Sequence, residues 1–163
     1  MWFFMNSCYA FSVLSFLMLI LTALQGYFHF TILHANHPTF ALLTVIIYLF
    51  TQTLIIFFFV GTGVSIRDYT NEKKLNLTYR QRSLKVKRQI YPPTLLNMLF
   101  IMILFITGGA VDTGRLIPPI HGMLFLISIA HFSNVLLVQH QCFKEEIAIV
   151  LEMSGVKTHA PLS

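Results

Sequence analysis

Four long apolar segments, separated by short polar stretches, dominate the pattern of this 163-residue chain. They occupy residues 2–28, 38–64, 93–111 and 119–138. Each has roughly the 17–25 residues that a helix needs to cross a lipid bilayer. The pattern therefore predicts one all-α domain over residues 1–163, a polytopic membrane protein built as a bundle of four transmembrane helices. Prolines fit the first turns of three helices, where a missing N–H costs nothing, namely Pro38, Pro93 and Pro119.

The polar segment 66–91 carries eight of the eleven lysines and arginines. Basic loops between membrane helices stay in the cytoplasm. We therefore expect 66–91 to be a cytoplasmic loop, both termini to be cytoplasmic, and the turns after the first and third helices to face outside. This topology fits a bacterial inner membrane. After the fourth helix, apolar residues recur at helical spacing over 142–153, which predicts a short amphipathic helix or a continuation of the fourth one.

Composition supports the membrane assignment. Charged residues make up 10% of the chain and hydrophobic residues 56%, and the first 65 residues contain no Asp, Glu, Lys or Arg. Soluble domains carry about 25% charged residues. With so few charges the chain cannot cover a water-facing surface, so an integral membrane protein is expected.

Several function classes are disfavoured by the motifs. The chain lacks the G-x-S-x-G and H-E-x-x-H patterns and a glycine-rich phosphate loop, so we expect it not to be catalytic on its own. No nucleic-acid recognition module accompanies the basic segment. Anionic lipid or an acidic partner subunit is the expected contact of its basic side chains, Arg80, Arg82, Lys85, Lys87 and Arg88.

Histidines gather at the expected outer side. His29, His34 and His37 fall within nine positions, and His121 opens the fourth helix at the same level. Three interpretations remain open: polar residues at the membrane interface, haem b held between His37 and His121, or a copper or zinc site on His29, His34 and His37. A quinol pocket beside His121 and Asp112 belongs with the third.

A further histidine lies deep in the fourth helix. His131 comes ten residues after His121, which at 1.5 Å per residue places it about 15 Å further in. Tyr48 and Gln52 of the second helix reach a similar depth, so we expect them to meet His131 and Asn134 inside the bundle. An ionisable residue at this depth is either a hydrogen-bonded structural group or a functional one, here a haem ligand or a quinone contact.

The segment 108–122 combines four glycines and two prolines with Asp112 and Arg115. Asp112 and Arg115 can pair, and the shaped turn suits a docking surface. We therefore expect an accessory subunit of a larger membrane complex, which binds other integral-membrane subunits and lipid. The alternative is an electron-transfer subunit that binds haem b or quinone through His37, His121 or His131, with copper or zinc less favoured.

Overall fold

The computed structural model describes residues 2–32 and 34–155. These residues form four α-helices, each long and apolar enough to span a membrane. This confirms the expected all-helical chain with four helices that could each span a membrane. The helices are α1 (Trp2–Phe28), α2 (His37–Glu72), α3 (Thr78–Asp112) and α4 (Pro118–Met153).

The turns between helices fall at two ends of the bundle. The turns 29–36 and 113–117 lie at one end, which we call the histidine end. The turn 73–77, the start of α1 and the end of α4 lie at the opposite end, which we call the basic end. Which side of a membrane each end faces stays a prediction.

The four helices form two hairpins. In the first hairpin, hydroxyl pairs join α1 to α2, with Ser15 and Thr51 at 2.9 Å and Thr22 and Thr44 at 2.8 Å. In the second, the Asn97 amide of α3 donates to the carbonyl of Ser128 in α4 at 3.1 Å. Small and polar side chains let apolar helices approach closely and satisfy one another's hydrogen bonds. The polar stripes of the sequence therefore mark the helix contacts.

Hydrogen bonds join the two hairpins in the middle of the bundle. Tyr48 of α2 donates to the side-chain oxygen of Asn97, and Gln139 of α4 donates to the side-chain oxygen of Gln52 at 2.7 Å. The Tyr48 ring also meets Phe132 edge-on, with ring centroids 5.1 Å apart. Among the described residues, every hydrogen bond and ring contact between the hairpins lies at this level or nearer the basic end.

The segment 66–91 is not the predicted loop. Helix α2 continues to Glu72 and α3 begins at Thr78, so the connection is five residues long. Buried side chains continue through it at three- or four-residue spacing, namely Ile66, Thr70, Ser83, Val86 and Ile90. Such spacing builds an amphipathic helix whose charged face stays exposed. The helices therefore extend well past the apolar segments.

Two other helix boundaries differ from the prediction. Pro92 and Pro93 lie inside α3 rather than at its start. Neither proline has a backbone N–H, so two carbonyls in the preceding turn lose their helical hydrogen bonds. Ile90 and Thr94 are buried on either side of the prolines, and this packing holds the helix together. Residues 142–153 continue α4 without a break, with Phe143 and Ile149 buried. Pro38 and Pro118 do occupy first turns, as predicted.

Replacing Asn97 with Ala should destabilise the bundle by about 1–2 kcal/mol, because Tyr48 and the Ser128 carbonyl lose their buried partner. Reversible unfolding in a mixed-detergent titration measures this change. Asn134→Ala is the matched control, since Asn134 is exposed on α4. Equal stability of the two variants would show that the Asn97 bonds contribute nothing to joining the hairpins.

Candidate functional site

A cavity of about 1540 Å³ lies between the two hairpins at the histidine end. All four helices line it, over residues 19–30, 36–45, 101–112 and 118–129. Ligand pockets in proteins commonly measure roughly 300–1,000 Å³. The cavity therefore has room for a large ligand. Among the described residues, no hydrogen bond or ring contact joins the two hairpins at this end of the bundle.

The part of the cavity nearest the middle of the bundle is apolar, and the part nearest the histidine end is polar. Leu19, Leu104 and Phe125 line the deep part, whereas Gln25 and Asn36 lie near the histidine end. Leu24 of α1 and Leu126 of α4 line the cavity and are exposed.

His37 reaches the cavity from the first hairpin. It is the first residue of α2, after the N-cap Asn36, whose side chain accepts from the Thr39 amide at 3.2 Å. The ring lies against Gly26 of α1, where an added Cβ would come within 2.9 Å of the ring carbon Cε1. Its Nδ1 is buried and has no hydrogen-bond partner among the described residues. The other ring nitrogen, Nε2, is not fully buried and forms no hydrogen bond with a described residue, so it is the nitrogen that a ligand could reach.

His121 reaches the same cavity from the second hairpin. Its Nδ1 lies 3.3 Å from the hydroxyl of Thr107, and that hydroxyl donates its one proton to the Leu104 carbonyl at 2.9 Å. In this arrangement the Thr107 oxygen accepts from Nδ1 of His121, and the tautomer with its proton on Nδ1 carries a lone pair on Nε2. A protein group that fixes the protonated nitrogen in this way is typical of metal-bound histidine.

Glycine gives His121 its position, as it does for His37. A Cβ at Gly108 of α3 would lie 3.2 Å from Cε1 of His121. Each hairpin therefore sets one imidazole against a glycine on its neighbouring helix. The structure brings the predicted pair His37 and His121 to one cavity. His29 and Asp112 also line this cavity, whereas His34 and His131 do not.

His29 and His34 do not join His37 in a metal site. Both are exposed and have left-handed backbone angles, with φ of 55° and 63°. The His29 amide ends α1 by donating to the Gln25 carbonyl at 2.9 Å. In the described part of the chain, no three His, Cys, Asp or Glu residues are placed to hold a metal ion. His29 lines the same cavity as His37, whereas His34 is not among the lining residues, so the structure does not bring the three predicted ligands together.

His131 does not meet Tyr48 and Gln52. Its ring packs edge-on against Phe100 of α3 at 5.3 Å, and its Nδ1 is buried without a partner among the described residues. Tyr48 and Gln52 bond instead to Asn97 and Gln139. His131 is not among the residues that line the cavity, so the structure does not bring it together with His37 and His121.

The predicted contact residues separate into two groups. Arg82 is bound within the bundle, with Glu145 at 2.8 Å and Glu152 at 2.6 Å, so it links α3 to α4. Lys87 is half-buried beside Gly63. The remaining ones are exposed and form no ion pair with another described residue, namely Arg80, Lys85, Arg88, Asp112 and Arg115.

Sequence reasoning missed the residues that hold the two histidines. Gly26 and Gly108 lie inside helices, where a glycine lowers helix stability by about 1 kcal/mol relative to alanine. A glycine at such an unfavourable position was the available sign that it serves a close contact. Thr107 and Gln25 gave no signal, because a single polar residue in a membrane helix has many roles. Gln25 is fully buried and donates to the Ala35 carbonyl at 2.8 Å.

Comparison with known proteins adds no functional assignment, since no family model, no curated protein and no solved structure matches this chain. The candidate site therefore depends on the geometry above.

Alanine at Gly26 or Gly108 should displace the adjacent imidazole, whereas Gly109→Ala, with no neighbour within 4 Å of the added carbon, should not. Gly109→Ala should raise the stability by up to about 1 kcal/mol through helix propensity. In the other two variants the clash offsets that gain. Thermal unfolding in detergent and histidine ¹⁵N NMR shifts measure both effects. The same stability and shifts in all three variants would contradict the proposed packing.

Proposed function

We propose that the chain is an electron-transfer membrane subunit that binds haem b between its two hairpins, with His37 and His121 as axial ligands. The observation that carries this proposal is that two imidazoles from different hairpins border one cavity at the same end. Nε2 of each ring forms no hydrogen bond with a described residue, and imidazole is a common ligand of haem iron.

The cavity suits a flat, largely apolar macrocycle with a polar edge. Its deep part is lined by aliphatic and aromatic side chains, and its polar side chains lie near the histidine end. Gly26 and Gly108 let the two rings lie close to the helix backbones, which leaves space between the hairpins. A haem with its carboxyl edge toward the histidine end would match this distribution.

Haem supplies the one-electron chemistry, and the chain's residues supply ligation and orientation. Thr107 holds the tautomer and the ring plane of His121. Asn36 caps α2 and so fixes the position of His37. The apolar lining keeps water away from the iron site, which with the axial ligands sets its reduction potential.

Absorption spectroscopy of the purified chain, expressed with excess haem precursor, tests this function. We expect about one haem b per chain, and we expect His37→Ala and His121→Ala each to lose most of it. His140→Ala is the matched control, because His140 is exposed and bonds to Tyr9 at 2.9 Å, far from the cavity. His131→Ala should also retain haem.

Two results would count against the haem assignment. One is a wild-type protein that folds but shows no Soret band. The other is full haem retention in both His37→Ala and His121→Ala. A helical circular dichroism spectrum like that of the wild type separates loss of ligand from loss of fold.

We also propose that the chain works as one subunit of a larger membrane complex, with the basic end in the cytoplasm. A single haem site needs an electron donor and an acceptor from other proteins. Asp112 and Arg115 support a docking role for the turn at the histidine end, because both are exposed and neither pairs with another described residue. Arg80, Lys85 and Arg88 suit contact with anionic lipid at the basic end.

Charge reversal at Asp112 or Arg115 should weaken binding of the partner subunits, since complementary charges at an interface favour one partner. Pull-down of the tagged chain in mild detergent, with quantitative mass spectrometry, measures the bound partners. Lys74→Glu is the matched control, because Lys74 lies in the turn at the basic end. Isolation of the wild-type chain as a lone monomer under every mild condition would refute the subunit proposal.

A further inference from the structure

At the basic end, away from the cavity, one carboxyl is completely enclosed by the bundle. Glu146 of α4 has no exposed surface. The hydroxyl of Ser83 in α3 donates to one of its oxygens at 2.9 Å. The other oxygen, Oε2, is buried and has no partner among the described residues. No lysine or arginine of the described chain forms an ion pair with it.

A buried carboxylate without a counter-ion is costly, and such a group normally takes up a proton instead. The adjacent Glu145 differs in this respect, because Arg82 pairs with it at 2.8 Å near the surface. Two neighbouring glutamates of one helix thus have opposite environments. Glu145 pairs with Arg82 near the surface, and Glu146 is surrounded by packed helices.

A half-buried amine, that of Lys87, lies near the Ser83 hydroxyl that binds Glu146. Lys87, one turn from Ser83 on α3, is half-buried. A methyl group at Gly63 of α2 would overlap the Lys87 amine and would touch the Ser83 hydroxyl at 3.1 Å. Gly63 therefore makes room for Lys87 and Ser83 on one side of α2, beside the carboxyl that Ser83 binds.

The other titratable groups near Glu146 offer it no strong partner. Tyr91 of α3 has a buried hydroxyl without a partner among the described residues, and Cys142 is a buried free thiol one turn away on α4. On α2, Arg67 and Asp68 are exposed and pair with each other at 2.9 Å. On α1, the nearest titratable residues are Cys8, a free thiol in the same apolar core, and Tyr9, which bonds to His140.

From this arrangement we propose that Glu146 is a proton-binding site that exchanges its proton with water at the basic end through Lys87. Lys87 releases a proton to water and takes the one from Glu146, which becomes a carboxylate. The net change is the transfer of one proton from the carboxyl to water. This site is independent of the haem proposal, and it would place a proton exchange at the end opposite to the cavity.

Infrared difference spectroscopy tests the proposal in the full chain in lipid. We expect a protonated-carboxyl band that disappears as the pH rises from about 5 to about 9, the range in which a buried glutamic acid titrates. Glu146→Gln should remove the band and Glu145→Gln should retain it. Lys87→Gln should retain the band and slow its hydrogen–deuterium exchange. Absence of the band from the wild type, or its survival in Glu146→Gln, would overturn the proposal.

A second measurement needs no variant. An apolar carbodiimide reacts with protonated carboxyls in apolar surroundings, and peptide mass spectrometry locates the label. We expect labelling of Glu146 over Glu145 and Glu152, with a loss of labelling at high pH. Glu146 left unlabelled at low pH while Glu145 reacts would show that the enclosed carboxyl does not hold a proton. Neither result depends on whether haem is bound.

Discussion

The side chains of Asn97 and Gln139 join the two hairpins by hydrogen bonds in the middle of the bundle. In apolar surroundings an amide without a partner costs several kcal/mol, so these bonds fix the register between α2, α3 and α4. That register brings His37 and His121 to the same end. If the hairpins slid by one turn, the two imidazoles would lie about 5 Å apart in height.

The two halves of the bundle differ because different side chains fill them. Toward the basic end, stacked aromatic rings such as Phe58, Phe59 and Phe143 close the interior. Toward the histidine end, glycine and small polar residues hold each hairpin together but leave the space between the hairpins open. A ligand between the hairpins at the histidine end would supply contacts like those that aromatic residues supply at the basic end.

The number of helices and the position of His37 and His121 at one level of the bundle could be predicted from the sequence, because apolar length and matched depth decide both. The helix ends could not be predicted, because the many charged residues over 66–91 made the segment resemble a loop. The helical spacing of its buried residues was therefore not recognised, namely that of Ile66, Thr70, Val86 and Ile90. The partner of Tyr48 was also missed. Depth is readable from a sequence, but the direction in which a side chain points depends on how the helices pack. The burial of Glu146 was not predicted, because in a sequence a glutamate with charged neighbours looks like a residue on an exposed helix face.

The central claim is that one haem iron is held between an imidazole from each hairpin. Electron paramagnetic resonance of the oxidised protein, with ¹⁵N-labelled histidine, tests it most directly. The account predicts a low-spin ferric signal with hyperfine coupling to two imidazole nitrogens, and loss of one coupling in His37→Ala or His121→Ala. A high-spin signal with a single histidine, or two couplings that survive both substitutions, would contradict it.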